Sequence, residues 1–245
     1  MLKKLLKTII HTLSIDLTKN IRYDRLTFKI INKHLKKDAV CIDIGCHLGE
    51  ILEVIIKKAP HDNHYAFEPL PKFYQKIKNK YKANIYPYAL SDKTGEVEFN
   101  YVENSPEYSG INKRNYLGLK NPKISLIKVK LEKLDNIIPL NKKIDFIKID
   151  VEGAEYNVLL GGRETILRSK PLIVFEFEKG STEFYNVTPA MMFDLLKNEY
   201  KMDLYTLNSF LKNNPSLARE SFIEIYEKNE EIYFLAKPQI NTIIF

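Results

Sequence analysis

The chain has 245 residues, 44% of them apolar and 28% charged, which suits one large α/β domain or two small ones and excludes a disordered chain. Its two cysteines, Cys41 and Cys46, exclude a disulfide framework and have no zinc-type spacing. The net charge of +7 lies wholly in residues 1–40, where ten Lys or Arg meet three acids, while the remainder balances at 28 basic and 28 acidic residues.

A basic front end over a neutral body suits an anionic membrane surface, an anionic substrate, or simply a solvated helical face. Residues 1–17 place Leu2, Leu5, Leu6, Ile9, Ile10 and Leu13 on one side of an amphipathic helix, predicted to pack on the body rather than on a membrane. Lys7 and His11 break its apolar run and no small-residue cleavage site follows, so it does not read as a signal peptide. No apolar stretch approaches the roughly 20 residues of a membrane span. The domain expectation is a basic helical extension over 1–37 and one domain over 38–245. A reducing, cytoplasmic setting fits the two cysteines.

From residue 39 the pattern changes. A-V-C-I-D-I (39–44) reads as a buried strand, Gly45 and Gly49 punctuate it, and Ile51 to Ile56 give a helix that Pro60 ends. A second strand over 64–67 ends in Glu68-Pro69. A helix over 73–81 and a third strand over 84–88 follow. Residues 95–102 and 124–131 alternate, as antiparallel strands do. Between them, 103–121 is polar, aromatic and irregular, the kind of long loop that is usually functional or mobile. I-D-F-I-K-I (144–149) is a buried strand with a helix after it, 172–177 another strand, and 189–200 a helix. Two strands over 222–226 and 232–235 are predicted to close the chain as a hairpin. Strand–helix alternation in this order predicts an α/β, doubly wound, mostly parallel seven-stranded sheet with an antiparallel C-terminal hairpin and an N-terminal helical extension.

Four segments carry chemistry. Asp43-Ile44-Gly45-Cys46-His47-Leu48-Gly49 lies at the carboxyl end of the first strand, where open α/β sheets bind ligands. It departs from the dinucleotide pattern Gly-x-Gly-x-x-Gly because His47 replaces the middle glycine, which crowds a pyrophosphate and leaves room for a cofactor without phosphates. Glu68 ends the second strand 25 residues after Asp43, close to the spacing at which an acid binds ribose hydroxyls. Asp92, after the third strand, is placed either to accept from an adenine amino group or to serve an ordinary turn. Asp150, Glu152 and Glu155 crowd one strand end. Glu152 and Glu155 also stand where a helix N-terminus favours negative charge. Three like charges so close suit proton abstraction from a hydroxyl or a hold on a divalent cation. Glu176, ending the next strand, adds an acid to the same rim.

Together, V-C-I-D-I-G-C-H-L-G (40–49), A-F-E-P-L-P (66–71), A-L-S-D-K-T-G (89–95) and I-D-F-I-K-I-D-V-E-G-A-E (144–155) resemble the FkbM-type methyltransferases, over roughly residues 39–177. The resemblance implies a Rossmann-like fold and S-adenosylmethionine as cofactor, held by Asp43, Gly45, Gly49, Glu68 and Asp92, with His47 near its methionine end. It also implies Asp150, Glu152 and Glu155 at the reaction centre. Cys46-His47 stands where the family commonly has small residues. The implied reaction is O-methylation of a sugar or glycan hydroxyl, in a capsule, lipopolysaccharide or related glycoconjugate of a bacterium. Asp150 or Glu152 is the candidate base, and the loop at 103–120, with Tyr101, Tyr108 and Tyr116, is a candidate acceptor lid. No metal ligand is assigned, although a divalent metal on the same carboxylates stays open.

Two other readings are weighed. A nucleic-acid methyltransferase usually needs a basic stripe around its site, and here the excess charge is confined to the front end, so no nucleic-acid partner is expected. A non-catalytic S-adenosylmethionine- or glycan-binding module has no need of Asp150, Glu152 and Glu155. The basic N-terminus leaves peripheral contact with the inner face of a membrane as an expectation.

Overall fold

The computed structural model describes residues 19–116 and 119–239. The amphipathic helix expected over 1–17 lies outside them. Strand β1 (Cys41–Ile44) and strand β7 (Phe146–Ile149) are buried along their whole length. Such runs are the mark of a parallel sheet covered on both faces. With β2 (Tyr65–Phe67), β3 (Asn84–Tyr86), β8 (Leu172–Glu176), β9 (Met202–Thr206) and β10 (Tyr233–Pro238), they make a seven-stranded sheet in the order β3-β2-β1-β7-β8-β10-β9. Pairing is parallel from β3 to β8, and β10 runs antiparallel to both β8 and β9. The expected α/β class, mostly parallel sheet and seven strands are therefore present.

The closing antiparallel pair differs in one member. The expected strand over 222–226 lies inside the helix Arg219–Glu227, and the true partner of β10 is β9. Phe222 and Tyr226, four residues apart, are its buried face, a spacing that puts both on one side of a helix. The third expected strand is two. Pro87 separates β3, on the edge of the main sheet, from β4 (Tyr88–Leu90). β4 joins β5 (Gly95–Val102) and β6 (Ile124–Glu132) in a second sheet of order β4-β6-β5. Proline has no N–H for a ladder, so a strand breaks readily there.

The helix Glu50–Lys58 follows the β1 turn. Its N-cap is Gly49, and it buries Ile51, Leu52 and Ile55. The helix Lys19–His34 buries Tyr23, Leu26, Ile30 and Ile31 against the sheet and against helices Glu50–Lys58 and Leu207–Leu211. Its Lys29 and Lys33 stay exposed, as do Lys36 and Lys37 just after it. No helix among the described residues is long and apolar enough to cross a membrane.

Candidate active site

A cavity of about 730 Å³ opens at the carboxyl ends of β1, β2 and β7, within the usual size of small-molecule sites. The β1 turn forms one side. Gly45 has φ +74°, and a Cβ there would run into the carbonyl oxygen of Asp150, so the two turns touch backbone to backbone. Gly45 and Cys46 both donate their N–H to the Phe67 carbonyl. His47, at φ +47°, donates its N–H to Glu68 Oε2 at 2.8 Å and rests its ring 4.3 Å from that of Phe73. Leu70 N–H donates to Glu68 Oε1 at 2.9 Å. Two amides therefore hold the Glu68 carboxylate against the cavity wall. Burial pushes its pKa up to about 7, against those two hydrogen bonds.

On the β7 side, Lys148 is only 6% exposed, in the middle of an otherwise apolar strand. Its ammonium lies 3.0 Å from Asp150 Oδ2 and 3.8 Å from Asp43 Oδ1, and it donates to the Gly45 carbonyl at 3.2 Å. Burial alone would lower the Lys148 pKa, but the charges of Asp150 and Asp43 outweigh it and hold it above the ordinary value. Tyr233 donates its hydroxyl to the same Asp150 oxygen at 2.6 Å. Burial opposes ionisation of Asp150, yet Lys148 and the Tyr233 hydrogen bond win and keep its carboxyl below the usual range. Asp43, 1% exposed, is pushed up to about 6 by burial, against the pull of Lys148.

The irregular segment closes the roof. Pro106, Glu107, Ser109 and Ile111 line the cavity, whereas Tyr101, Tyr108 and Tyr116 do not. Arg114 carries its guanidinium beneath the Tyr108 ring, 5.0 Å from the centroid, and pairs with both Glu152 and Glu178. Asn112 N–H donates to Tyr185 Oη at 3.0 Å and Asn115 N–H to the Gly180 carbonyl at 2.8 Å.

Of the residues singled out in the sequence, Gly45, His47, Glu68, Asp150 and Glu152 line this cavity, and Asp43, Gly49, Asp92, Glu155 and Glu176 do not. Asp43 stands behind the wall as the second anion on Lys148. Gly49, at φ +77°, starts the helix Glu50–Lys58. Glu155 takes a structural place: its Oε1 accepts from Val151 N–H at 3.0 Å and Gly153 N–H at 3.2 Å, closing the turn. Burial pushes Glu155 up to about 7. Asp92 accepts from Ser91 Oγ at 2.9 Å and Asn157 Nδ2 at 3.2 Å, away from the cavity. Below it, a Cβ on Gly161 would collide with the Ser91 carbonyl, so the helix Glu155–Gly161 is seated directly against the end of β4. Three functional side chains were not singled out: Lys148, Tyr233 and Arg114. A lysine inside a fully buried strand was itself the signal for the first, because a buried ammonium needs anions.

The sequence profile of the methyltransferase FkbM domain matches residues 43–202, well over half of the chain. This chain belongs to the FkbM methyltransferase family. The expected family holds, and the expectation of S-adenosylmethionine as cofactor stands with it. Among relatives of this FkbM member, the 2-O-methyltransferase NoeI of Sinorhizobium fredii is 23% identical over 159 residues, 58% of this chain and 65% of NoeI. The AMB antimetabolite synthetase AmbE of Pseudomonas aeruginosa is 31% identical over 183 residues, 58% of this chain and 8% of AmbE. The match thus spans less than two thirds of either relative. Similar solved structures include an FkbM methyltransferase from Methylobacillus flagellatus (TM-score 0.45, 19% identity, 63% of this chain and 36% of that one). The plantazolicin methyltransferase BpumL in complex with SAH is another (TM-score 0.47, 14% identity, 97% and 91% covered).

Proposed function

We propose that this chain is an S-adenosylmethionine-dependent O-methyltransferase acting on a hydroxyl of a sugar or glycan. The observation that carries the cofactor reading is the charge of the cavity wall. Glu68, Glu107, Asp150 and Glu152 line it, with Lys148 as the one lysine or arginine among its lining residues. A dinucleotide pyrophosphate would be repelled there. S-adenosylmethionine carries a sulfonium and an ammonium and no phosphate, so it fits. Glu68, fixed by two amides, would hold the ribose hydroxyls, the Gly45 turn would offer backbone to the methionine part, and Ala89 and Leu90 would give the base an apolar wall. When bound, this cofactor supplies a methyl group on a positively charged sulfur that leaves readily.

The chain's own residues then have two tasks. One is alignment, since an in-line displacement depends on proximity above all. The other is removal of the hydroxyl proton. Asp150 is ionised, sits on the wall, and has both its Lys148 and Tyr233 contacts on Oδ2. We assign it as the base, with Glu152, held by Arg114, beside it. The sugar acceptor is supported by the family and by a relative named as a 2-O-methyltransferase. The acidic wall speaks against a nucleic-acid acceptor. Contact with the inner face of a bacterial membrane is supported only by the basic first forty residues, and fractionation of the full chain tests it.

The deciding experiment incubates the chain with S-adenosylmethionine and glycan, RNA or no acceptor, and measures S-adenosylhomocysteine and methylated product. Release with glycan alone is expected. Release only with RNA overturns the acceptor reading. Tight binding of a nicotinamide dinucleotide with no binding of S-adenosylhomocysteine overturns the cofactor reading.

A further inference from the structure

We propose that Asp150 and Glu152, on the cavity wall, and Glu176, just behind it, form a binding site for a divalent, oxygen-seeking cation. Its use in catalysis rests on the methyl-transfer reading, but the binding itself does not.

Glu176 ends β8, the strand next to β7, and the register pairs Ile149 with Phe175. That places Glu176 beside Asp150. Glu176 is 8% exposed, and its Oε2 is shielded from solvent and meets no hydrogen-bond donor among the described residues. A buried carboxylate oxygen in that condition is expensive unless something neutralises it. Carboxylate oxygens of Asp150, Glu152 and Glu176 all lie within 4.8 Å of one another. Calcium binds oxygens at roughly 2.3–2.6 Å, so opposite ligands stand up to about 5 Å apart. The trio therefore lies close enough together to share one such cation.

The local charge balance points the same way. Asp43 and Asp150 share Lys148, and Glu152 and Glu178 share Arg114. Neither cation forms an ion pair with Glu176. Five carboxylates thus face two positive side chains, and Glu176 is the one of the five that pairs with neither. A cation held there touches Asp150, the wall residue to which an acceptor proton would go. A hydroxyl coordinated beside it would release that proton more readily. The rival occupant is a proton on Glu176.

The test uses the full chain, freed of metal and titrated with Mn2+, with bound metal read by electron paramagnetic resonance and S-adenosylhomocysteine binding measured in parallel. We expect one Mn2+ per chain, displaced by Ca2+. Glu176→Gln keeps the side-chain volume and removes the buried charge, so it should fold, bind Mn2+ at least 10-fold more weakly and retain S-adenosylhomocysteine. Glu98→Gln, an exposed acid on β5, should leave Mn2+ binding unchanged. No stoichiometric Mn2+ in the wild-type chain, or unchanged binding in Glu176→Gln, overturns the site in favour of the proton. Loss of S-adenosylhomocysteine binding in the wild-type chain would instead strike the cofactor reading and leave the metal result to be read separately.

Discussion

The turn after β1 and the turn after β7 face each other across the cavity, one built from backbone and the other from carboxylates. In the first, Gly45, His47 and Gly49 all take positive φ, and the His47 amide of the loop holds the Glu68 carboxylate. In the second, Glu152 and Gly153 take positive φ. Shape there depends on Glu155 bonding two amides and on Lys148 and Arg114 balancing Asp150 and Glu152. Space limits the first turn and charge limits the second. The first should respond most to added volume, while burial raises carboxyls at both turns, Glu68 and Asp43 at the first and Glu155 at the second, so both respond to pH.

The strongest way to break this contrast is Gly45→Ala. A Cβ there combines a left-handed φ with a collision against the β7 backbone. We expect a loss of roughly 4 kcal/mol or more, since strain and overpacking add, seen as a thermal midpoint lower by about 10 °C. A midpoint within 2 °C of wild type would show that the two turns are not pressed together.

Next is Asp150→Asn. It should leave S-adenosylhomocysteine binding within a few-fold and cut turnover by roughly 10²–10⁴, the usual worth of a positioned base. Retained turnover would move the base to Glu152.

Third, pH together with the Glu155→Gln variant isolates the buried acid of the second turn. The folded Glu155 carboxyl, raised to about 7 by burial, holds its proton more tightly than an unfolded one with a pKa near 4.5. Its stabilising effect is complete below about 4.5 and is lost as pH rises through about 7. Melting from pH 5 to 8 should therefore show a decline in wild type that Glu155→Gln reduces, by of order 3 kcal/mol at most. His64 works in the opposite sense. Burial lowers its pKa, so its contribution is lost as pH falls below about 6.5, and the difference between variant and wild type cancels it.

The smallest effect is Tyr233→Phe, which removes one donor to Asp150. We expect about 1 kcal/mol, near 5-fold in kcat, with an upward shift of the acid limb of the pH–rate profile as Asp150 loses a stabilising hydrogen bond.

Much of this was legible in the chain. The buried runs around Cys41 and Phe146 declare a parallel sheet, and the glycines after Asp43 mark the switch point. Gly45, Glu68 and Asp150 were placed by motif spacing and do line the cavity. Long-range pairings were not legible. Arg114 reaches Glu178 from 64 residues away, and no local pattern encodes that distance. Tyr233 meets Asp150 only because β10 inserts beside β8. The helix Arg219–Glu227 was misread because F-I-E-I-Y alternates like a strand while also placing Phe222 and Tyr226 one helical turn apart. Glu155 was read as chemical because its hydrogen bonds to backbone cannot be inferred from an acid near a helix start.

The seating of Gly161 under the Ser91 carbonyl has a consequence for motion. With no room between them, and with Asn157 joined to Asp92, the helix behind the acidic turn and the strand end that brings Ala89 and Leu90 to the cavity are clamped as one jaw. The opposite jaw, the 103–116 segment, is tied to the frame by paired backbone hydrogen bonds between Gly110 and Asn100, by Asn115 N–H on the Gly180 carbonyl, and by Arg114 on Glu152 and Glu178.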